Sequence, residues 1–176
     1  YDGNGCKQDY GKAFLWYEKA ANQNVPDAQN KLGVCYNNGR GVAKDDLKAI
    51  GWFRKSADQR FKWGLFNLAY MYYNGYGCTQ DYKQAVAWFE KAAAQNVPDA
   101  MNYLGICYDH GRGVTEDDKK AFEWFKNSAE LGYKWGQYNL ANMYYDGKGC
   151  TQDYKQAIEW YEKAAGQNIP EAMNKL

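Results

Sequence analysis

Trp63, Phe66, Tyr70 and Tyr73 fall within eleven residues. So dense a set of rings offers binding chemistry rather than covalent chemistry. Aromatic side chains bury large areas at small entropic cost and dominate interaction hot spots. The spacing returns 72 residues later as Trp135, Tyr138 and Tyr145, with Asn142 as the one polar exception.

The residues that could do covalent chemistry do not assemble. His110 is the only histidine. It stands where other copies of the repeat described below have Asn38, Asn74 and Asp146, and reads as a solvated residue at a helix end. The only serines, Ser56 and Ser128, share one repeat position with Ala20, Ala92 and Ala164, so small size is what that position asks for. No Ser–His or Cys–His nucleophile arrangement follows. Asp9, Asp45, Asp81, Asp117 and Asp153 recur every 36 residues, and helix capping explains them better than acid–base pairing. The paired glycines lack the preceding strand and third glycine of a phosphate loop. No histidine or cysteine cluster has metal-ligand spacing, and no Cys-x-x-Cys occurs. The expectation is a protein that is not an enzyme and needs neither metal nor cofactor.

Cysteine spacing leaves two readings open. Cys6 and Cys35 are 29 residues apart, as are Cys78 and Cys107, and a partner for Cys150 would fall just past the end. One reading is a pair of inter-repeat disulfides, Cys6–Cys35 and Cys78–Cys107, which would imply an oxidising, extracytoplasmic compartment. The other is small buried thiols, since Met71 and Met143 replace the helical cysteine in alternate units.

Bulk composition excludes some partners. The 176 residues carry a net charge of +1 with both signs interspersed, so no basic field for nucleic acid exists. No apolar run approaches the ~20 residues of a membrane span. The chain opens without Met and in mid-repeat, the expectation for a piece of a longer array.

The elements that position the rings come from internal repetition. Leu32, Leu68, Leu104, Leu140 and Leu176 recur at 36 residues, as do Trp16, Trp52, Trp88, Trp124 and Trp160, and "GCTQDYKQA" recurs at 72. The domain reading is one array: a partial unit at 1–24, full units at 25–60, 61–96, 97–132 and 133–168, and a partial helix A at 169–176. Each full unit predicts two helices. Helix A begins at Pro26, which fits the first helical position, and ends where Gly39 takes a left-handed cap. Helix B starts at Asp45 or Asp46 and runs to about Ala57. In the helix B "DYKQAVAWFEKAA", Tyr82, Ala85, Trp88, Phe89, Ala92 and Ala93 share one face at ~100° per residue, which puts the periodic tryptophans in the core.

Ala28, Leu32, Gly33, Tyr36, Gly39, Gly41, Val42, Asp45, Lys48, Ala49, Trp52, Lys55 and Ala57 spell a pattern that resembles the Sel-like repeat (SLR), a relative of the tetratricopeptide repeat. The resemblance covers the whole chain. It implies an all-α fold: an α-solenoid of antiparallel helix pairs in a right-handed superhelix, with A helices on the concave side. It also implies an adaptor role in multiprotein complexes. It does not supply the cysteine pairing, because cysteine-rich members of the family use a closer spacing.

A helical wheel with Leu68 at 0° puts Leu65, Leu68, Ala69, Met71 and Tyr72 in the core sector. Trp63, Phe66, Tyr70 and Tyr73 fall at roughly 220°, 160°, 200° and 140°. On the concave face these rungs alternate with polar ones, Asp27, Asn30, Val34 and Asn37, then Asp99, Asn102, Ile106 and Asp109. The expected groove residues are Trp63, Phe66, Tyr70, Tyr73, Asp99, Asn102, Trp135, Tyr138 and Tyr145. Two readings compete: a groove that binds a protein or peptide segment, or rings that pack between neighbouring A helices as core. Two alternatives stand beside the protein-binding groove: a structural, self-assembling filament or multimer built from further copies, and a glycan-binding module.

Overall fold

A computed structural model of the chain describes residues 9–176. Ten helices follow in order: α1 Tyr10–Asn22, α2 Pro26–Asn38, α3 Asp46–Asp58, α4 Lys62–Asn74, α5 Tyr82–Ala93, α6 Pro98–Asp109, α7 Asp118–Glu130, α8 Lys134–Asp146, α9 Tyr154–Ala165 and α10 Pro170–Met173. No strand occurs among the described residues. Even-numbered helices are the A type and odd-numbered the B type. The architecture is an α-solenoid of consecutive packed pairs.

The helix ends follow from their residues. Asp45 is extended (φ −153°), and its Oδ1 accepts from the Lys48 backbone N–H at 2.9 Å. Asp9, Asp81, Asp117 and Asp153 do the same for their helices. Gly39, Gly75 and Gly147 close the A helices in the left-handed region. The second glycine of each pair has a further reason. A Cβ on Gly41, Gly77 or Gly149 would lie 2.1–2.2 Å from a carbonyl oxygen at the start of α1, α3 or α7. Backbone there touches backbone of the preceding repeat.

The chain divides into two compact units, Tyr1–Trp88 and Phe89–Leu176. In the first, α2 packs on α1 and α3, and α4 on α3 and α2. In the second, α7 packs on α6 and α8, α8 on α6 and α9, and α10 on α9. Alternate A helices therefore meet along a seam in each unit, α2 with α4 and α6 with α8.

The core corrects the tryptophan expectation. Phe53, Phe89, Phe125 and Tyr161, one residue beyond the tryptophans, are at most 3% exposed, whereas Trp16 is 68% exposed. Trp52, Trp88, Trp124 and Trp160 are half-buried. The phenyl ring wins because the facing A helix makes room for it. A Cβ on Gly33 would meet the Phe53 ring at 2.7 Å, and one on Gly105 the Phe125 ring at 2.5 Å. The indole is covered only in part, with Lys55 Nζ 4.0 Å from the Trp52 ring and Lys163 Nζ 3.6 Å from the Trp160 ring. Each fully buried Leu or Phe contributes roughly 1.5–3 kcal/mol.

Ser56 and Ser128 also do more than stay small. Each is fully buried, and each Oγ donates to a helix-start carbonyl, Pro26 O or Pro98 O, at 2.7 Å. Gly64 and Gly136 face them, and a Cβ on either glycine would fall 2.4 Å from the serine Oγ. Where the serine is Ala92 or Ala164, the facing residue is Ala100 or Ala172.

Candidate functional site: the seams between alternate A helices

In the first unit the seam carries a row of rings. Trp63 meets Phe66 edge-on at 6.3 Å, Phe66 meets Tyr70 at 6.3 Å, and Tyr70 meets Tyr76 at 6.2 Å. Positions 63, 66 and 70 share a helical face at spacings of three and four. Tyr76 joins them from the turn between Gly75 and Gly77. Trp63 is 38% exposed and Tyr76 41%. A depression of about 280 Å³ opens beside the row, lined by Val34 and Asn37 from α2 and by Phe66, Asn67 and Tyr70 from α4. Across it Asn67 Nδ2 donates to Asn30 Oδ1 at 2.8 Å, and Asn37 Nδ2 donates to Asp46 Oδ1 at 2.9 Å.

The second unit repeats the geometry with different chemistry. Asn139 Nδ2 donates to Asn102 Oδ1 at 2.9 Å. A depression of about 350 Å³ has Tyr103, Tyr133, Trp135 and Tyr138 around it. A second of about 430 Å³ shares Ile106 and Asn139 with the first and adds Asp109, His110, Asn142, Asp146 and Lys148. Lys148 Nζ bridges Asp109 Oδ1 at 2.5 Å and Asp118 Oδ1 at 3.2 Å. The Asp109 hydrogen bond, foremost, raises the lysine pKa. His110 Nδ1 lies 2.8 Å from Asp109 Oδ2 at the exposed end of α6. Phe66 and Tyr70 thus have Tyr138 and Asn142 as counterparts. Asn142 is polar because Tyr161, where the other full units have phenylalanine, donates its hydroxyl to Asn142 Oδ1 at 2.6 Å.

Of the nine expected groove residues, Trp63, Phe66, Tyr70, Trp135 and Tyr138 come together on the two seams. Tyr145 is 46% exposed and packs against Tyr154 at 5.4 Å. Three differ. Tyr73 is 8% exposed, edge-on to Tyr82 at 5.2 Å, while Tyr72, expected in the core, is half-exposed and accepts a hydrogen bond from Arg54. Helix A touches helices on more than one side, so its buried arc reaches position 73. Asn102 is 4% exposed, spent on the Asn139 bond. Asp99 is half-buried and accepts from the Tyr133 hydroxyl. Burial pushes the Asp99 carboxyl up, opposed by that bond, and burial, then the nearby Asp99, pushes the Tyr133 hydroxyl up. Tyr76, Tyr103 and Tyr133 are seam residues that the helical wheel does not reveal. Tyr76 and Tyr133 sit outside the helices, and Tyr103 is a polar rung's aromatic neighbour.

The cysteines resolve toward thiols. Cys35, Cys78, Cys107 and Cys150 are all free, so the 78–107 bridge is not formed. Cys6 lies outside the described residues, and Cys35 is a buried free thiol. Cys78 and Cys150 donate to Met71 O and Met143 O. Burial pushes the Cys107 thiol up to about 12. Among the described residues no group of three or more His, Cys, Asp or Glu could hold a metal ion. None of their helices is long and apolar enough to cross a membrane.

The family model of the Sel1 repeat matches residues 1–25, 26–61, 64–97, 98–133 and 136–169. Comparison with curated proteins finds no significant match. Several solved structures are similar. A protective antigen of uropathogenic Escherichia coli strains, displaying an SLR fold, is 40% identical with a TM-score of 0.88, over 97% of this chain and 37% of that one. A Sel1 repeat protein from Oxalobacter formigenes is 36% identical with a TM-score of 0.94, over 99% of this chain and 71% of that one. An immunity protein from Pseudomonas aeruginosa is 26% identical with a TM-score of 0.64, over 90% of this chain and 58% of that one. The chain therefore spans little more than a third of the length of the first of these.

Proposed function

The chain belongs to the Sel1 repeat family, and from that premise we propose that it is a scaffold whose A-helix seams hold a segment of a partner protein. Sel1 repeats generally mediate protein–protein interactions and are generally non-catalytic. Similarity to an immunity protein fits a protein partner. The observation that carries the reading is the seam itself. Trp63 and Trp135 stay more than a third exposed although each contacts the next ring of its own helix, Phe66 or Tyr138. Exposed aromatic patches with polar rims mark interaction surfaces. The part-buried Asn67–Asn30 and Asn139–Asn102 bonds hold the two walls of each seam in register, so little reorganisation accompanies binding.

Panning a random-peptide phage library against the folded chain tests this. Selected peptides should lose about tenfold or more in affinity on Trp63→Ala plus Trp135→Ala, since an aromatic hot spot carries ~2 kcal/mol or more. Circular dichroism should show the helices intact. Unchanged affinity in the intact double variant would sink the proposal.

A further inference from the structure

The walls of the two seams carry opposite charge. Those of the first, α2 and α4, hold Asp27, Lys31 and Lys62, a net +1. Those of the second, α6 and α8, hold Asp99, Asp109, Lys134 and Asp146, a net −2. Most charge along the first seam is matched. Lys31 Nζ pairs with Asp27 at 3.7 Å. At the Tyr76 end, Lys44 Nζ lies 5.8 Å from the ring centroid and 3.4 Å from Asp46 Oδ2, and Asp46 Oδ1 takes the Asn37 amide. Lys62 is the exception. It is exposed, its Nζ lies 5.7 Å from the Trp63 ring centroid, and among the described residues no carboxylate pairs with it. Its own helix, α4, contains no acidic residue. The Trp63 end of the row thus carries an unmatched positive charge.

The rings add a second constraint. From Trp63 to Phe66 to Tyr70 to Tyr76 the centroids step by 6.2–6.3 Å. Every second residue of an extended chain advances ~6.4–6.8 Å and points the same way. The row therefore suits the alternate side chains of an extended segment, each burying apolar area on a ring. We propose that the first seam takes an extended segment of the partner protein, with apolar side chains at alternate positions on the rings and an aspartate or glutamate at the Trp63 end, against Lys62. This rests on the seam reading above and names the chemistry of its occupant. Charge complementarity picks the acid: a carboxylate there meets the unmatched lysine, and a basic residue would meet a like charge. The acidic walls of the second seam give a carboxylate no such advantage, so the preference belongs to the first unit.

The test uses NMR of the tryptophan indole N–H groups in the intact chain, with the Trp63 signal assigned from Trp63→Ala. The probe is acetyl-Asp-Ser-Leu-Ser-Leu-Ser-Asp-amide, and its neutral near-isostere carries Asn in place of both Asp residues. An acid at each end makes the probe indifferent to chain direction. The Asp peptide should shift the Trp63 signal saturably and bind about 2- to 5-fold more tightly than the Asn peptide, the span of one exposed ion pair. Lys62→Glu should reverse that order. It should fold normally, because a carboxylate suits the first turn of a helix. Equal binding of the two peptides at Trp63, or an unreversed order in a folded Lys62→Glu protein, would overturn the inference while leaving the seam reading intact. If neither probe moves Trp63, the panned peptides decide. Peptides that move Trp63 and lose affinity when their acidic residues become amides support the inference, and peptides that move it without any acidic residue overturn it. A panning that yields no peptide moving Trp63 or Trp135 overturns the seam reading as well.

Discussion

The serine–glycine pairs allow a stringent test of how the repeats pack. Gly64→Ala adds one methyl group 2.4 Å from Ser56 Oγ, 2.7 Å from Ser56 Cβ and 2.9 Å from the Ala57 backbone nitrogen. The Ala57 nitrogen is main chain and cannot rotate away, and Ser56 Oγ is held at 2.7 Å by Pro26 O. Such overpacking costs about 1–3 kcal/mol, and displacing the serine hydrogen bond adds about 1 kcal/mol. The better helix propensity of alanine returns about 1 kcal/mol. The net expectation is a destabilisation of about 1–3 kcal/mol. Ser56→Ala alone leaves Pro26 O without its donor and costs about 1 kcal/mol. Together the two changes recreate the Ala92–Ala100 combination found in the same chain. The double variant should then be more stable than Gly64→Ala alone, with a coupling energy of about 1–3 kcal/mol from urea midpoints at constant slope. Simple additivity of the two single costs would refute the contact as the reason for the pairing.

Three further predictions follow the same logic. Tyr161→Phe should cost about 1 kcal/mol by stranding the Asn142 carbonyl, and adding Asn142→Ile, which recreates Ile106 with Phe125, should recover most of it; urea denaturation decides, and a neutral Tyr161→Phe would contradict the bond. The capping carboxylates Asp45 and Asp117 are held below the ordinary 3.8, chiefly by the backbone N–H groups of Lys48 and Lys120. A lowered folded-state pKa contributes stability that is present above 3.8 and is lost as pH falls through the lowered value. Asp45→Asn plus Asp117→Asn keeps a capping side chain that does not titrate, so its stability should fall less steeply than wild type in that acid range. Parallel acid profiles would count against this role. Cys35 and Cys107 are buried, and burial raises both thiols, so they should resist iodoacetamide until the chain is unfolded. Mass spectrometry that finds Cys107 alkylated in the native protein at neutral pH would contradict its packing.

The helix boundaries were legible because each has its own chemical signal: Pro26 at a helix start, Asp45 as a cap, Gly39 as a stop. The layering within a helix was less so. Positions 88 and 89 lie ~100° apart within one broad apolar arc, and membership of that arc does not say which ring is innermost. The deciding residues lie on the facing helix, in the glycines that admit Phe53 and Phe125. Tyr72 and Tyr73 exchanged roles for a related reason. A wheel assumes one buried face, and an A helix in a solenoid has neighbours on several sides. The seam aromatics at 63, 66 and 70 were visible from spacing alone. Tyr76 and Tyr133 were not, because turn residues follow no helical period. Asn102 and Asn142 read as groove or exception in one dimension, and their partners, Asn139 and Tyr161, are fixed only by packing.

The most direct measurement of the central claim is fluorine NMR of the chain labelled with fluorotryptophan, which reports on each of its seven tryptophans. On titration with a peptide from the panned library, the Trp63 and Trp135 resonances should each move with saturation, while Trp52, Trp124 and Trp160 on the B helices stay in place. Shifts confined to those B-helix tryptophans, with Trp63 and Trp135 unmoved, would contradict binding on the A-helix seams.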